Sequence, residues 1–178
     1  FNSPVNIISG GGEVTIERCV FRNIQNPDYD GGGLDLSAPS SPVRIVDTVF
    51  ANNAGNNGGG AYVHGGSGSL IANCAFINNT ATGRSGGLEL RAGGTVLVNC
   101  SFAGNQANNM SAVSISSNNA TFENCVMWGN TGGSTIGEVF AGTLTVNNSI
   151  VEGGWGGLGT DNLDVDPLFV GVVGGDLS

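Results

Sequence analysis

The sequence predicts an all-β chain folded as one right-handed parallel β-helix, a solenoid of about 6–7 coils of roughly 26 residues. Three observations carry this expectation. A six-residue segment recurs with a period near 26, Asn and Gly stand at one phase of that period, and the composition disfavours helices.

The composition is the least specific of the three. Gly 32 and Asn 22 make up 54 of the 178 residues. Both are poor helix formers, yet 39% of the chain is hydrophobic and only 11% charged. Such a chain folds rather than staying disordered, and it does so through strands and turns. Lysine is absent, the five basic residues are all Arg, and the net charge is -9. That balance gives no electrostatic footprint for nucleic acid or an anionic membrane surface. No apolar run approaches the roughly 20 residues of a membrane helix. The first residue is Phe and no leader is visible, so the chain reads as a processed protein or a fragment.

From the N-terminus, Val5-Asn-Ile-Ile8 reads as a strand ahead of the first full repeat. Six segments then align: Ile16–Phe21, Ile45–Phe50, Ile71–Phe76, Leu97–Phe102, Phe122–Met127 and Val146–Val151. Their fourth positions are Cys19, Thr48, Cys74, Cys100, Cys125 and Ser149, at spacings of 29, 26, 26, 25 and 24. Three residues beyond each large apolar position stand Ile24, Asn53, Asn79, Asn105, Asn130 and Gly154. Asn and Gly tolerate the left-handed backbone of a tight corner, and Asn also offers a hydrogen bond to the same corner one coil on. About thirteen residues after the Cys column comes Gly-Gly followed by a short alternating strand, as in Gly32–Leu36, Gly59–Val63 and Gly86–Leu90. Ser111–Ile115 repeats it without the glycines. Period-2 alternation sends Leu34, Ala61, Leu88 and Val113 inward, and Asp35, Tyr62, Glu89 and Ser114 outward. One such unit cannot bury its own apolar stripe, whereas stacking like on like buries a continuous core. The period is too short for a propeller blade. The domain is taken as residues 1–178, with repeats over about 14–154 and a closing coil over about 160–178.

The repeated Gly-Gly-(Ala/Leu) and Phe-x-x-Asn patterns, with Asn-Cys-x-Phe between them, resemble the repeats of chlamydial polymorphic outer-membrane proteins and related bacterial surface β-helix proteins. Asn148-Ser-Ile-Val151 followed by Asp166-Pro-Leu-Phe-Val170 looks like the closing coils of secreted bacterial β-helix proteins. The resemblance runs from about Val14 to Val170 and implies an extracellular location. It implies no catalytic residues to carry over.

The four cysteines share one phase and have no C-x-x-C spacing, which argues against zinc and for an interior column of thiols. Two acidic loops offer oxygens for calcium. One holds Asp28, Asp30 and Asp35, the other Asp161, Asp164 and Asp166, and neither has the EF-hand pattern. No other cofactor is expected. The outward columns of the Gly-Gly strand gather Asp35, Tyr62, His64, Glu89 and Arg91 on one face. Asp35 and Glu89 fall two coils apart, roughly 9.6 Å between backbones, which approaches the separation of an inverting glycosidase pair. Against catalysis stand the flatness of the face and the lack of lysine, so the chain reads as a non-enzyme, with a polysaccharide-binding or polysaccharide-cleaving β-helix acting through this face as the alternative. Trp128 and Trp155 are expected outward.

Solenoid ends are bare strand edges that template pairing. Val5, Ile7 and Ile8 at one end, and Phe169 and Val170 at the other, are the expected self-assembly surfaces. The reading that follows is a secreted structural or adhesive module that stacks head to tail into a surface filament, with itself as partner.

Overall fold

The computed structural model describes residues 3–116, 119–138 and 142–169. Among them the regular elements are strands, with no helix. Three parallel sheets of six strands run the length of the rod. Sheet 1 holds Val5–Ile8, Leu34–Ala38, Ala61–Gly65, Leu88–Leu90, Met110–Ile115 and Ser134–Glu138. Sheet 2 holds Val14–Glu17, Val43–Val46, Leu70–Ala72, Thr95–Val98, Ala120–Glu123 and Leu144–Asn147. Sheet 3 holds Val20–Arg22, Val49–Ala51, Ala75–Ile77, Ser101–Ala103, Val126–Trp128 and Ile150–Val151. A fourth sheet of two-residue strands, Ala54–Gly55, Thr80–Ala81 and Gln106–Ala107, lines the corner before sheet 1. Each coil passes through sheets 1, 2 and 3 in turn, so the expected β-helix is the observed architecture, with six rungs.

The repeat dictates the register. Ile16 pairs with Ile45, Ile45 with Ile71, Ile71 with Leu97, Leu97 with Phe122 and Phe122 with Val146. Like side chains therefore become neighbours at the strand spacing of about 4.8 Å. The Phe column shows the result: Phe21, Phe50, Phe76 and Phe102 stack with ring centroids 5.0, 4.8 and 4.7 Å apart. Phe50, Phe76 and Phe102 are fully buried, and burial of each contributes about 1.5–3 kcal/mol. Met127 and Val151 continue the column. In sheet 1 the inward column runs Val5, Leu34, Ala61, Leu88, Val113 and Ile136. Its register shifts between Met110 and Val113.

The corners carry a correction. In the Asn column, Asn53, Asn79, Asn105 and Asn130 do not take left-handed backbone; the preceding Asn52, Asn78, Gly104 and Gly129 do. Of that column only Gly154 has a positive φ, 79°. The Asn residues are there for their amides. Asn79 Nδ2 donates to Phe50 O at 2.9 Å and to Asn105 Oδ1 at 3.0 Å, and the pattern repeats along the ladder. A second left-handed column precedes the Cys column: Arg18, Asp47, Asn73, Asn99, Asn124 and Asn148.

The two ends differ. At the N-terminal end Val5–Ile8, Val14–Glu17 and Val20–Arg22 each have one free edge. At the C-terminal end residues 158–163 add a partial seventh rung over sheets 2 and 3, bridging Thr145 to Leu158 and Ile150 to Leu163. The expected closing coil over about 160–178 lies in part outside the described residues. Trp155 does not point outward as expected. It packs against the end of the core, and its Nε1 donates to Leu158 O at 2.9 Å.

Candidate functional site

Sheet 1 positions the polar face. Asp35, Tyr62, Glu89 and Ser114 are register partners in sequence, as are Ser37 and His64 in the adjoining outward column. Asp35 and Tyr62 are half-buried. Asp35 Oδ2 accepts a hydrogen bond from Asn6 Nδ2 at 3.2 Å. Partial burial, and then the nearby Asp30 charge, push the Asp35 carboxyl above its usual range. Burial also pushes the Tyr62 hydroxyl up, against the opposing pull of Arg91.

Glu89 and Ser114 depart from the expected outward exposure. Both have 0% exposure. Period-2 alternation places them on the outer side of the strand, but their neighbours close over them. Arg91 lies across the Tyr62 ring, 5.2 Å from its centroid, with its Nε 3.8 Å from Glu89 Oε1. Ser116 Oγ donates a short hydrogen bond to the same oxygen. On the far side Met110 fills the space over Gly137, whose added Cβ would fall 2.2 Å from Met110 Cγ. Among the described residues, Glu89 Oε2 and Ser114 Oγ are left buried with no hydrogen-bond partner. An unmet buried acceptor costs about 1–3 kcal/mol. Arg91 also lines a polar cleft of about 550 Å³ with Gly66, Ser67, Gly94 and Asn119. The sequence flagged Glu89 and Arg91 and put Ser116 in the same outward column as Arg91 without counting it in the candidate face; Met110 was missed. The Ser114–Ser116 alternation opposite Glu89 and Arg91 was the available signal.

The acidic loops are spread along the fold. Asp30 Oδ1 accepts from Asn57 Nδ2 at 2.8 Å and Asn57 N at 3.2 Å. Asp164 Oδ1 accepts from Gly153 N at 3.0 Å, and Asp166 Oδ1 from Leu168 N at 2.8 Å. Asp28 lines a surface cleft with Tyr29 and Asn6, and Asp161 is exposed. Among the described residues no three His, Cys, Asp or Glu side chains converge as a metal ligand set.

The cysteines form the interior column that their phase implies. All four are free thiols, with Cys74, Cys100 and Cys125 buried and Cys19 half-buried at the open end. Hydrogen bonds to Cys125 and Cys74, together with burial, push the Cys100 thiol well up. The bond to Cys100 draws Cys74 and Cys125 down.

The remaining candidate surface is the pair of ends. Among the described residues the exposed large hydrophobics are Val5, Ile8, Val20, Tyr29, Leu158, Leu163, Val165 and Leu168. All lie in the first coil or beyond the sixth rung. Val49 and Val126 occupy the same outward column as Val20 but are half-buried, because a coil flanks them on each side. Ile7 is half-buried and packs on the core. Phe169 is displaced from its expected place at the end. It lies with Leu168 on the flank, lining a cleft of about 410 Å³ beside Ala103 and Trp128. Val170 lies outside the described residues.

A family model described as a right-handed β-helix region matches residues 5–166. No curated protein and no solved structure matches the chain.

Proposed function

The chain belongs to the right-handed β-helix family, and we propose that it is a structural or adhesive building block that stacks end to end into an extracellular surface filament. The observation that carries this reading is that, among the described residues, the large hydrophobics of the middle coils are covered, whereas Val5, Ile8 and Val20 of the first coil and Leu158 and Leu163 of the last rung are exposed. Each end residue has a coil on one side only, and a stacked neighbour would give it the second. The free edges of Val5–Ile8, Val14–Glu17 and Val20–Arg22 add unpaired backbone groups suited to further parallel pairing. Ile7 and Ile8 belong to this surface with Val5 and Val20. At the other end Leu158 and Leu163 take the role first given to Phe169. Electron microscopy and sedimentation velocity over a concentration series test the reading. Rods that lengthen with concentration, and that shorten in Ile8→Lys/Val20→Lys, are expected. Dispersed monomers at every concentration would remove it.

A second reading is favoured by the orphaned Glu89 Oε2 and Ser114 Oγ. They would receive hydroxyls of a saccharide lying along Asp35, Tyr62, His64 and Arg91. This reading assigns binding, with no catalytic residue. A glycan panel measured by calorimetry tests it: binding lost in Glu89→Gln with an unchanged melting temperature supports it, and no binding to any glycan ends it.

A further inference from the structure

We propose that the partner in this stacking is a second copy of the same chain in a polar, in-register arrangement, with Arg18 of one copy following Asp161 of the next in a single corner column. The inference rests on the end-stacking reading above and adds its direction and register.

The corner column before the cysteines carries it. Arg18, Asp47, Asn73, Asn99, Asn124 and Asn148 share left-handed backbone, with φ from 50° to 54°. Asp161 joins them at φ 58°. The partial rung that holds Asp161 keeps the phase of the repeat. Asn148 N donates to Thr160 O at 3.0 Å, as Asn124 N donates to Asn147 O at 3.2 Å one coil earlier. Ser149 N donates to Asn162 Oδ1 at 3.1 Å, as Cys125 N donates to Ser149 Oγ at 3.0 Å.

From Asp47 to Asn124 the side chains in this column touch along the rod axis, while the Asn148 amide turns to Glu123 Oε2 at 3.5 Å. Asn73 Nδ2 reaches Asp47 Oδ1 at 3.0 Å, Asn99 Nδ2 reaches Asn73 Oδ1 at 3.0 Å, and Asn124 Nδ2 reaches Asn99 Oδ1 at 2.7 Å. The column thus begins with a cation and ends with an anion. Arg18 is largely exposed and only loosely held, 4.0 Å from Glu17. A coil added in phase beyond Asp161 brings the next member of the column within reach of it, and in a second copy that member is Arg18.

The ends also fit in shape. Among the described residues sheet 1 has six strands while residues 158–163 extend sheets 2 and 3, leaving a step. At that step lies a cavity of about 290 Å³ lined by Ile136, Leu144, Trp155 and Leu158. Val5 heads the inward column that Ile136 ends, so an in-register copy sets Val5 and Ile7 over this cavity. Pairing of two like ends instead places Arg18 near Arg18 and cannot continue the parallel ladder. The head-to-tail contact is heterologous and does not close, so it propagates. An exposed ion pair adds little affinity; its work here is to reject wrong registers.

Charge reversal tests the arrangement. Arg18→Asp, Asp161→Arg and the double variant are compared with the wild type by sedimentation velocity at low salt, with thermal melts as a control on folding. Each single reversal is expected to weaken association about 3–10-fold, the range of one such pair broken or made repulsive. The double variant, and an equimolar mixture of the two singles, are expected to recover it. Asp161→Asn serves if Asp161→Arg melts early, and should weaken association less than reversal does. Rods that persist unchanged in both singles overturn the register while leaving end stacking in place. Weakened singles without recovery in the double or the mixture overturn it too. A wild type that never associates removes both inferences.

Discussion

Asn79 holds Asn53 through one oxygen: its Oδ1 accepts the Asn53 backbone N–H at 3.0 Å and the Asn53 side-chain amide at 3.1 Å. Asn79 in turn donates to Phe50 O and to Asn105 Oδ1. Each buried Asn thus meets the backbone needs of a corner that has no sheet partner there. Asn79→Ala leaves the Asn53 backbone N–H buried without its partner, at about 1–3 kcal/mol, and takes from the Phe50 carbonyl only a second donor. Urea denaturation should show a loss of about 1–3 kcal/mol. A loss below about 0.5 kcal/mol would mean that water replaces the ladder.

Gly59 and Gly10 make opposite predictions for one substitution. A Cβ on Gly59 would fall 2.2 Å from Thr80 O and 2.5 Å from Gly86 O, both backbone atoms of the next coil. A Cβ on Gly10 meets nothing within 4 Å. Gly59→Ala should therefore cost about 3 kcal/mol or more, seen as a lowered melting temperature or loss of soluble protein. Gly10→Ala should stay within about 0.5 kcal/mol of wild type. Equal effects would contradict the close approach of coils at the Gly-Gly corner.

Thiol reactivity should follow position in the Cys column. Cys19 sits half-buried at the open end, while Cys74, Cys100 and Cys125 are buried, and Cys100 is held well above the usual thiol range by its two thiol neighbours and burial. Under native conditions a disulfide-exchange reagent should titrate Cys19 first, with the other three appearing only on unfolding. Cys19→Ser should abolish the native fraction. Rapid native labelling of Cys100 would refute the buried column.

Asp35 gives a pH dependence of defined sign. Its carboxyl is raised by partial burial and then by Asp30, so the folded state favours the protonated form. The stability that form contributes is fully present below the ordinary carboxylate pKa of about 3.9. It is lost as pH rises through the higher folded value. Asp35→Asn should therefore melt above wild type at neutral pH and approach it in acid. A difference that does not change with pH would assign the effect to packing.

The sequence made the core legible because stacking turns a one-dimensional phase into a spatial column. Ile16, Phe21 and Cys19 each announce their neighbours in the next coil by spacing alone. The two corner roles were harder to separate, since Asn52 and Asn53, or Asn78 and Asn79, are identical in type. The pairs Gly104–Asn105 and Gly129–Asn130 resolve them, with Gly at the left-handed position and Asn in the ladder. The burial of Glu89 was not legible. Alternation fixes which side of a strand a residue takes, but not whether Arg91 and Ser116 will fold over it. Trp155 escaped for a related reason: it stands past the last full repeat, where no phase assigns it a side.

The like-on-like register has a consequence for how length is encoded. Because Ala72 and Val98 are partners, as are Val46 and Ala72, the chain can be cut at one phase and rejoined at the same phase one coil later. Removing residues 73–98 joins Ala72 to Asn99, and Asn99 takes up the corner that Asn73 held. The rod then shortens by a single strand spacing, about 4.8 Å, with every remaining column still meeting its own kind. A deletion of similar size out of phase would set Phe against Asn through all later coils. The molecule is thus a ruler graduated in whole coils, tolerant of gains and losses of one graduation and intolerant of fractions.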